Sequence, residues 1–186
     1  MRQVFYRVAA SLDGYIAGPK GEIDWIVNDP SVDVAEVYAA TDTVLLGRRT
    51  YELTLQPGAP PWPPGWKVHV FSRTLVAEEH PRVTISKNAE LRVTALRGTA
   101  GKQIWLFGGG SLFRGLLEAS QVDVVEVIVM PVLLGGGVPL VEAGCRRTGL
   151  SLVESKAFPS GIVRLRYEVA GLPIQGSRIS GQVSAM

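Results

Sequence analysis

Among its 186 residues the chain has one cysteine, Cys145, and only two histidines, His69 and His80. A single thiol excludes an internal disulfide framework and any multi-cysteine metal site, as a reducing cytoplasm would favour. Without a Cys/His cluster no metal ligands are assigned, and both histidines read as structural or surface residues. Long apolar runs are missing as well. None approaches the roughly 20 residues that span a bilayer, and the opening Met1-Arg2-Gln3-Val4-Phe5-Tyr6 lacks the apolar core of a secretory signal. A soluble, unprocessed, cytoplasmic protein is therefore expected. Runs of one charge are also absent. The 19 basic and 17 acidic residues are scattered, for a net charge of +2, which excludes an extended basic surface for nucleic acid or membrane. No internal repeat is present.

What is present is core material. Hydrophobic residues make up 46% of the chain, enough for one buried core in one domain, placed over residues 1–170. Residues 171–186, rich in Gly, Ser and Gln, read as a flexible tail.

Strand-like and helix-like segments alternate. Val4 to Ala10 reads as a first strand, ending at an Asp13-Gly14 turn signal. Gly14, Gly18, Pro19 and Gly21 then give a permissive loop before Ile23-Asp24-Trp25, of the kind that lids a site. Ser31 is expected to cap a helix carrying Val34, Val37 and Tyr38. Thr43 to Leu46 is a strand, followed by a helical turn at Arg48-Arg49-Thr50-Tyr51-Glu52. Five prolines and two tryptophans exclude regular structure over 56–66. Lys67 to Phe71 and Val83 to Ser86 are strands, Ala89 to Arg97 a helix and Gln103 to Phe107 a buried strand. Ser111 is expected to cap a helix with one apolar face, before a strand from Val122 to Met130. Leu150 to Phe158 and Ile162 to Ala170 pair as an antiparallel hairpin. This order predicts an α/β fold with a mixed, mostly parallel sheet.

The strongest local signal for chemistry is the strand that runs through Gly108-Gly109-Gly110 into a helix. Unpaired amides at the positive end of a helix attract phosphate, and glycines let the ligand approach the main chain. Neither the Rossmann nor the P-loop fingerprint fits, because Phe113 stands where one needs glycine and no Gly-Lys pair serves the other. Arg48 and Arg49 follow one strand and Arg73 follows another. Strand carboxyl ends in an open α/β sheet share one edge, so these turns and the lid loop would converge on one cleft. Singly, each arginine reads as a solvated surface charge.

The order Ala9-Ala10-Ser11-Leu12-Asp13-Gly14-Tyr15-Ile16-Ala17, Ile23-Asp24-Trp25, Leu46-Gly47-Arg48-Arg49-Thr50-Tyr51-Glu52, Phe71-Ser72-Arg73 and Phe107-Gly108-Gly109-Gly110-Ser111-Leu112 resembles the dihydrofolate reductase superfamily. More narrowly, it is similar to stand-alone relatives of the riboflavin-biosynthesis reductase, the RibD C-terminal domain. The resemblance implies a three-layer α/β/α, dihydrofolate reductase-like fold and an NADPH site. In it Ala10 and Ile16 would offer backbone groups to the nicotinamide carboxamide. Gly47, Arg48, Arg49 and Thr50 would hold phosphates. Ser72 and Arg73 would take the adenosine end and its 2′-phosphate, a group suited to arginine forks, and Gly108, Gly109, Gly110, Ser111 and Leu112 would carry the pyrophosphate.

The implied activity is hydride transfer to a pyrimidine- or pterin-like heterocycle, the nearest being 5-amino-6-(5-phosphoribosylamino)uracil reductase. Two carboxylates compete as proton donor: Asp33, which also reads as an ordinary first-turn acid, and Asp24 beside Trp25. Trp25 and Asp13 are assigned to the substrate side, although Asp13 also reads as a residue that shapes its turn. The competing readings are a non-catalytic nucleotide-binding module on the same fold and a dihydrofolate reductase. A homodimer is expected, formed through apolar surface at Val122 to Met130 and Leu133-Leu134.

Overall fold

Val4–Ser11 forms the first strand, β1, whose alternate residues Val4, Tyr6, Val8 and Ala10 face one apolar cluster while Arg7 and Ala9 face the other side of the sheet. The computed structural model describes residues 1–170. Along the chain follow β2 (Tyr15–Ala17), α1 (Val34–Ala40), β3 (Thr41–Gly47), α2 (Arg48–Leu53), β4 (Lys67–Phe71) and β5 (Thr84–Ser86). Next come α3 (Ala89–Arg97), β6 (Gln103–Gly108), α4 (Gly110–Glu118), β7 (Val124–Met130), β8 (Val138–Pro139), β9 (Leu150–Ala157) and β10 (Val163–Val169). No described helix is long and apolar enough to cross a membrane. The expected tail, 171–186, lies outside the described residues.

Eight strands form one sheet in the order β5-β4-β3-β6-β1-β7-β10-β9. From β5 to β7 every pairing is parallel, and β10 pairs antiparallel with both β7 and β9. The predicted mixed sheet with its terminal hairpin is therefore the observed one. Helices lie on both faces. On one, Val93 and Leu96 of α3 and Phe113, Leu116 and Leu117 of α4 bury against Val4, Tyr6, Leu45, Ile104, Leu106 and Val127. There the rings of Tyr6 and Phe113 stack with centroids 3.7 Å apart. On the other, Tyr51 of α2 joins Val44, Leu46, Val68 and Val70 beneath Trp62 and Trp66 of the proline-rich loop. Short α1 buries none of its residues and touches this face through Tyr38, packed against Trp66 and Trp105.

Several expectations change. Asp33, not Ser31, caps α1, its carboxylate accepting from the Glu36 amide; the Ser31 amide and hydroxyl instead bond to Asp29, an Asx-type turn that delays the helix. Gly109, not Ser111, is the cap of α4, and Ser111 lies inside the first turn. The proposed apolar interface strand is internal: β7 pairs on both edges and Val124, Val125, Val127 and Met130 are buried, leaving Leu133 as the exposed part of that surface. The loop after β1 contains β2, which pairs antiparallel with β8.

Candidate active site

Because β1, β3, β4 and β6 run parallel, their carboxyl ends emerge at one edge. Register places Gly47 opposite Phe71, and Leu46 opposite Gly108, so the α2 turn, the Ser72 turn and the triple glycine open side by side. A Cβ on Gly47 would stand 3.6 Å from the Gly109 nitrogen, and one on Gly109 would stand 3.4 Å from Thr50 Oγ1. Gly47, Thr50, Gly108 and Gly109 thus meet at one point.

The glycines of the turn serve different needs. Gly108 has φ +140°, which L side chains rarely adopt. Gly110 faces the carbonyl of Pro139, which a Cβ would approach to 2.8 Å; only a residue without a side chain lets the β8 segment pass. Gly109, at φ −92° and ψ −172°, is extended and sterically the least demanding. The Gly108–Gly109 peptide is cis. Behind this turn α4 leaves its first amides without intrahelical acceptors, aimed at the edge. Ser111 is exposed and Leu112 half-buried against the core.

Arg48 and Arg49 are exposed on the first turn of α2. Arg48 forms an i,i+4 pair with Glu52 at 3.2 Å, both about 45% exposed, an interaction too weak to hold the guanidinium away from an anion. Ser72 is buried and its hydroxyl accepts from the amides of Thr74 and Leu75. Its geometric role is to shape the turn that presents exposed Arg73. Ala10 is buried near the end of β1, opposite Val129 of β7, and Ile16 of β2 packs on the main core.

The substrate-side residues separate. Asp13 is committed to structure: one carboxylate oxygen accepts from Ser11 Oγ at 2.6 Å and the Leu134 amide at 3.1 Å, the other from the Gly135 amide at 2.7 Å. These bonds, that from Ser11 first, hold its carboxyl below the ordinary carboxylate range. The chain after β1 is therefore tied to the chain after β7. Trp25 packs on the cluster of Met130, Phe158 and Ile162 and donates from its indole nitrogen to the Glu22 carbonyl. This anchors the stretch carrying exposed Asp24 near the carboxyl end of β7. Asp33 is exposed and occupied as the α1 cap.

Two features carry almost no signal in the sequence. The permissive loop after β1 has a fixed base, because Tyr15 and Ala17 pair with β8 while Tyr6 Oη donates to the Leu140 carbonyl at 3.0 Å. Burial pushes that phenol well above its ordinary range, so it stays a donor. The second is a buried ionic ladder: Arg7, Glu126 and Arg166 stand opposite one another on β1, β7 and β10. Glu126 accepts from Arg7 Nε at 3.1 Å and from Arg166 Nε at 2.5 Å, and Arg166 also reaches Glu154 of β9. The only sequence signal for it was a charge inside two otherwise apolar strands.

The RibD C-terminal domain model matches residues 2–164. The uncharacterized protein YyaP of Bacillus subtilis is 33% identical over 181 residues, covering 91% of this chain and 96% of the relative. Among solved structures, a riboflavin biosynthesis protein, described as putative, from Shewanella sp. PV-4 superposes with TM-score 0.77 and 25% identity over 91% of this chain and 99% of its own. Dihydrofolate reductase from Enterococcus faecalis, solved with NADP(H), superposes with TM-score 0.65 and 18% identity over 90% and 96%, a likeness of fold. The family match over most of the described chain and the relative at 33% identity show that the chain belongs to the RibD C-terminal domain family.

Proposed function

We propose that this chain is an NADPH-dependent reductase acting on a pyrimidine- or pterin-like heterocycle, with 5-amino-6-(5-phosphoribosylamino)uracil reductase as the nearest activity. The observation that carries this reading is the meeting of Gly47, Thr50, Gly108 and Gly109 beside the first turn of α4. The residues fit a dinucleotide phosphate: a turn of glycines packed against Thr50, amides at a helix start, and exposed Arg48, Arg49 and Arg73 around them. When bound, NADPH would supply the hydride.

The protein's own part is binding, orientation and shielding. The α4 amides and Thr50 would bind the pyrophosphate, and Arg73 the 2′-phosphate. Buried Ala10 and the β2 backbone would position the nicotinamide, and Trp25 would close the substrate side from water. Asp24 is the carboxylate left for proton delivery, since Asp33 is bonded to its helix amide. That commitment of Asp33 also supports a second reading, a nucleotide-binding module without turnover.

The test is NADPH consumption, followed by absorbance with a pyrimidine and pterin panel. Turnover that falls in Asp24→Asn while NADPH binding persists supports the reductase and its acid. NADPH binding with no turnover on any member supports the module. We also propose a homodimer through the edge strand β9, where Leu150, Leu152 and Val153 are exposed; sedimentation that reports only monomer would refute it.

A further inference from the structure

At the sheet edge opposite the candidate cofactor cleft, a groove of about 450 Å³ opens between the starts of β4 and β5 and helix α3. Lys67, Arg82 and Arg92 line it with the hydroxyls of Thr84 and Thr99, and no carboxylate is among its lining residues. Nor does any of the three cations form an ion pair among the described residues. Lys67 has the Asp42 carboxylate within electrostatic range, but cations gathered on one recess with no carboxylate in its lining still repel one another unless an anion joins them.

His69 also lines the groove and is tied to one of its cations. Its side chain lies in a residue only 2% exposed. Nδ1 accepts from Arg92 Nε at 3.4 Å, so the proton of the neutral ring sits on Nε2. That Nε2 is buried without a partner, a costly state for a donor. The ring is neutral, its pKa pushed down to about 4 by burial and by the neighbouring Arg92 and Lys67.

We propose that this groove binds a phosphorylated small molecule, its phosphate held by Lys67, Arg82 and Arg92. Two guanidinium forks and an ammonium give the donors that phosphate oxygens accept. The groove's size lies within the roughly 300–1,000 Å³ typical of small-molecule sites. A nucleic acid fits less well, because these cations converge on one recess and the chain has no basic run to follow a backbone. The site is separate from the cofactor cleft: Lys67 begins β4 and Phe71 ends it at the opposite edge, four residue rises or about 13 Å away.

Ribose 5-phosphate is a suitable probe, with ribose as control, read by thermal melting and by the His69 ring signals in NMR. The probe at ten times its Kd should raise the melting temperature by roughly 3–6 °C and move the His69 signals. Both effects should survive in Arg48→Ala/Arg73→Ala and vanish in Lys67→Gln/Arg82→Gln, two exposed positions whose loss leaves the core intact. NADPH binding should be unchanged in the latter variant. No shift at tens of millimolar, a shift that persists in Lys67→Gln/Arg82→Gln, a shift lost in the cleft variant, or binding of a short RNA but not ribose 5-phosphate would each overturn the proposal.

Discussion

The two faces of the sheet are built on different physics. Beneath α3 and α4 the face is continuous apolar packing, with Tyr6, Leu45, Ile104, Leu106 and Leu116 almost fully buried. Beneath α1 and α2 it is a patchwork: an aromatic group of Trp62, Trp66, Trp105 and Phe107 under a proline-rich loop, then the Arg7-Glu126-Arg166 ladder. The first face supplies stability. The second carries a helix that buries nothing and holds Trp25, the residue proposed for the substrate side. The proposed reductase would use both, the first as a rigid floor for the cofactor turn and the second as an adaptable wall for the heterocycle.

The largest effects should come from the packed face and from the ladder. Phe113→Ala removes the ring stacked on Tyr6 and should cost about 3–5 kcal/mol in chemical denaturation. Trp62→Ala, at a half-buried site on the other face, should cost clearly less; equal losses would erase the distinction between the faces. Glu126→Gln should also cost about 3–5 kcal/mol, because it leaves the Arg7 guanidinium buried without its counter-charge, whereas the joint replacement Arg7→Met/Glu126→Leu/Arg166→Met should be close to neutral. A triple variant as unstable as the single one would show that the ladder is itself a source of stability.

A pH effect comes next. His69 titrates near 4 in the fold against 6.5 when unfolded, so between those values the unfolded chain binds more protons. Its contribution is fully present above about pH 6.5 and is lost as pH falls toward 4, on the order of 3 kcal/mol in all. His69→Gln should flatten melting temperature against pH across that window; an unchanged slope would assign it elsewhere. Asp29, held at about 2 by hydrogen bonds from Ser160 and Ser31, acts lower: its stabilisation is present above about pH 4 and lost as pH falls through about 2. The smallest effect should be Glu52→Ala on the exposed pair with Arg48, within about 0.5 kcal/mol.

How much of this was legible in the sequence follows from how local each signal is. Lys67–Phe71 and Ala89–Arg97 were read to the residue, since apolar alternation and helical spacing are written in adjacent positions. The triple glycine was visible for the same reason, but the task of Gly110 was not. Its constraint is the Pro139 carbonyl, nearly thirty residues away in the chain. β2 and β8 are short strands that exist through each other and through Asp13, so neither carries a pattern of its own. The caps of α1 and α4 were misplaced because Ser31 and Ser111 have the right chemistry beside the right helix, and only backbone geometry separates a cap from its neighbours. Of the candidate site, the gathering of the Gly47, Ser72 and Gly108 turns at one sheet edge was legible, because each follows a strand. That Asp33 caps α1 was not, because it depends on a single hydrogen bond from the Glu36 amide.

The central claim is that the carboxyl edge of β3, β4 and β6 is an NADPH site. Melting the wild-type chain and Arg48→Ala/Arg73→Ala with NADPH and with NADH tests it most directly. NADPH should raise the wild-type melting temperature well beyond NADH, and the double variant should lose that excess. No shift at millimolar NADPH, or a shift of the same size in the double variant, would contradict the account.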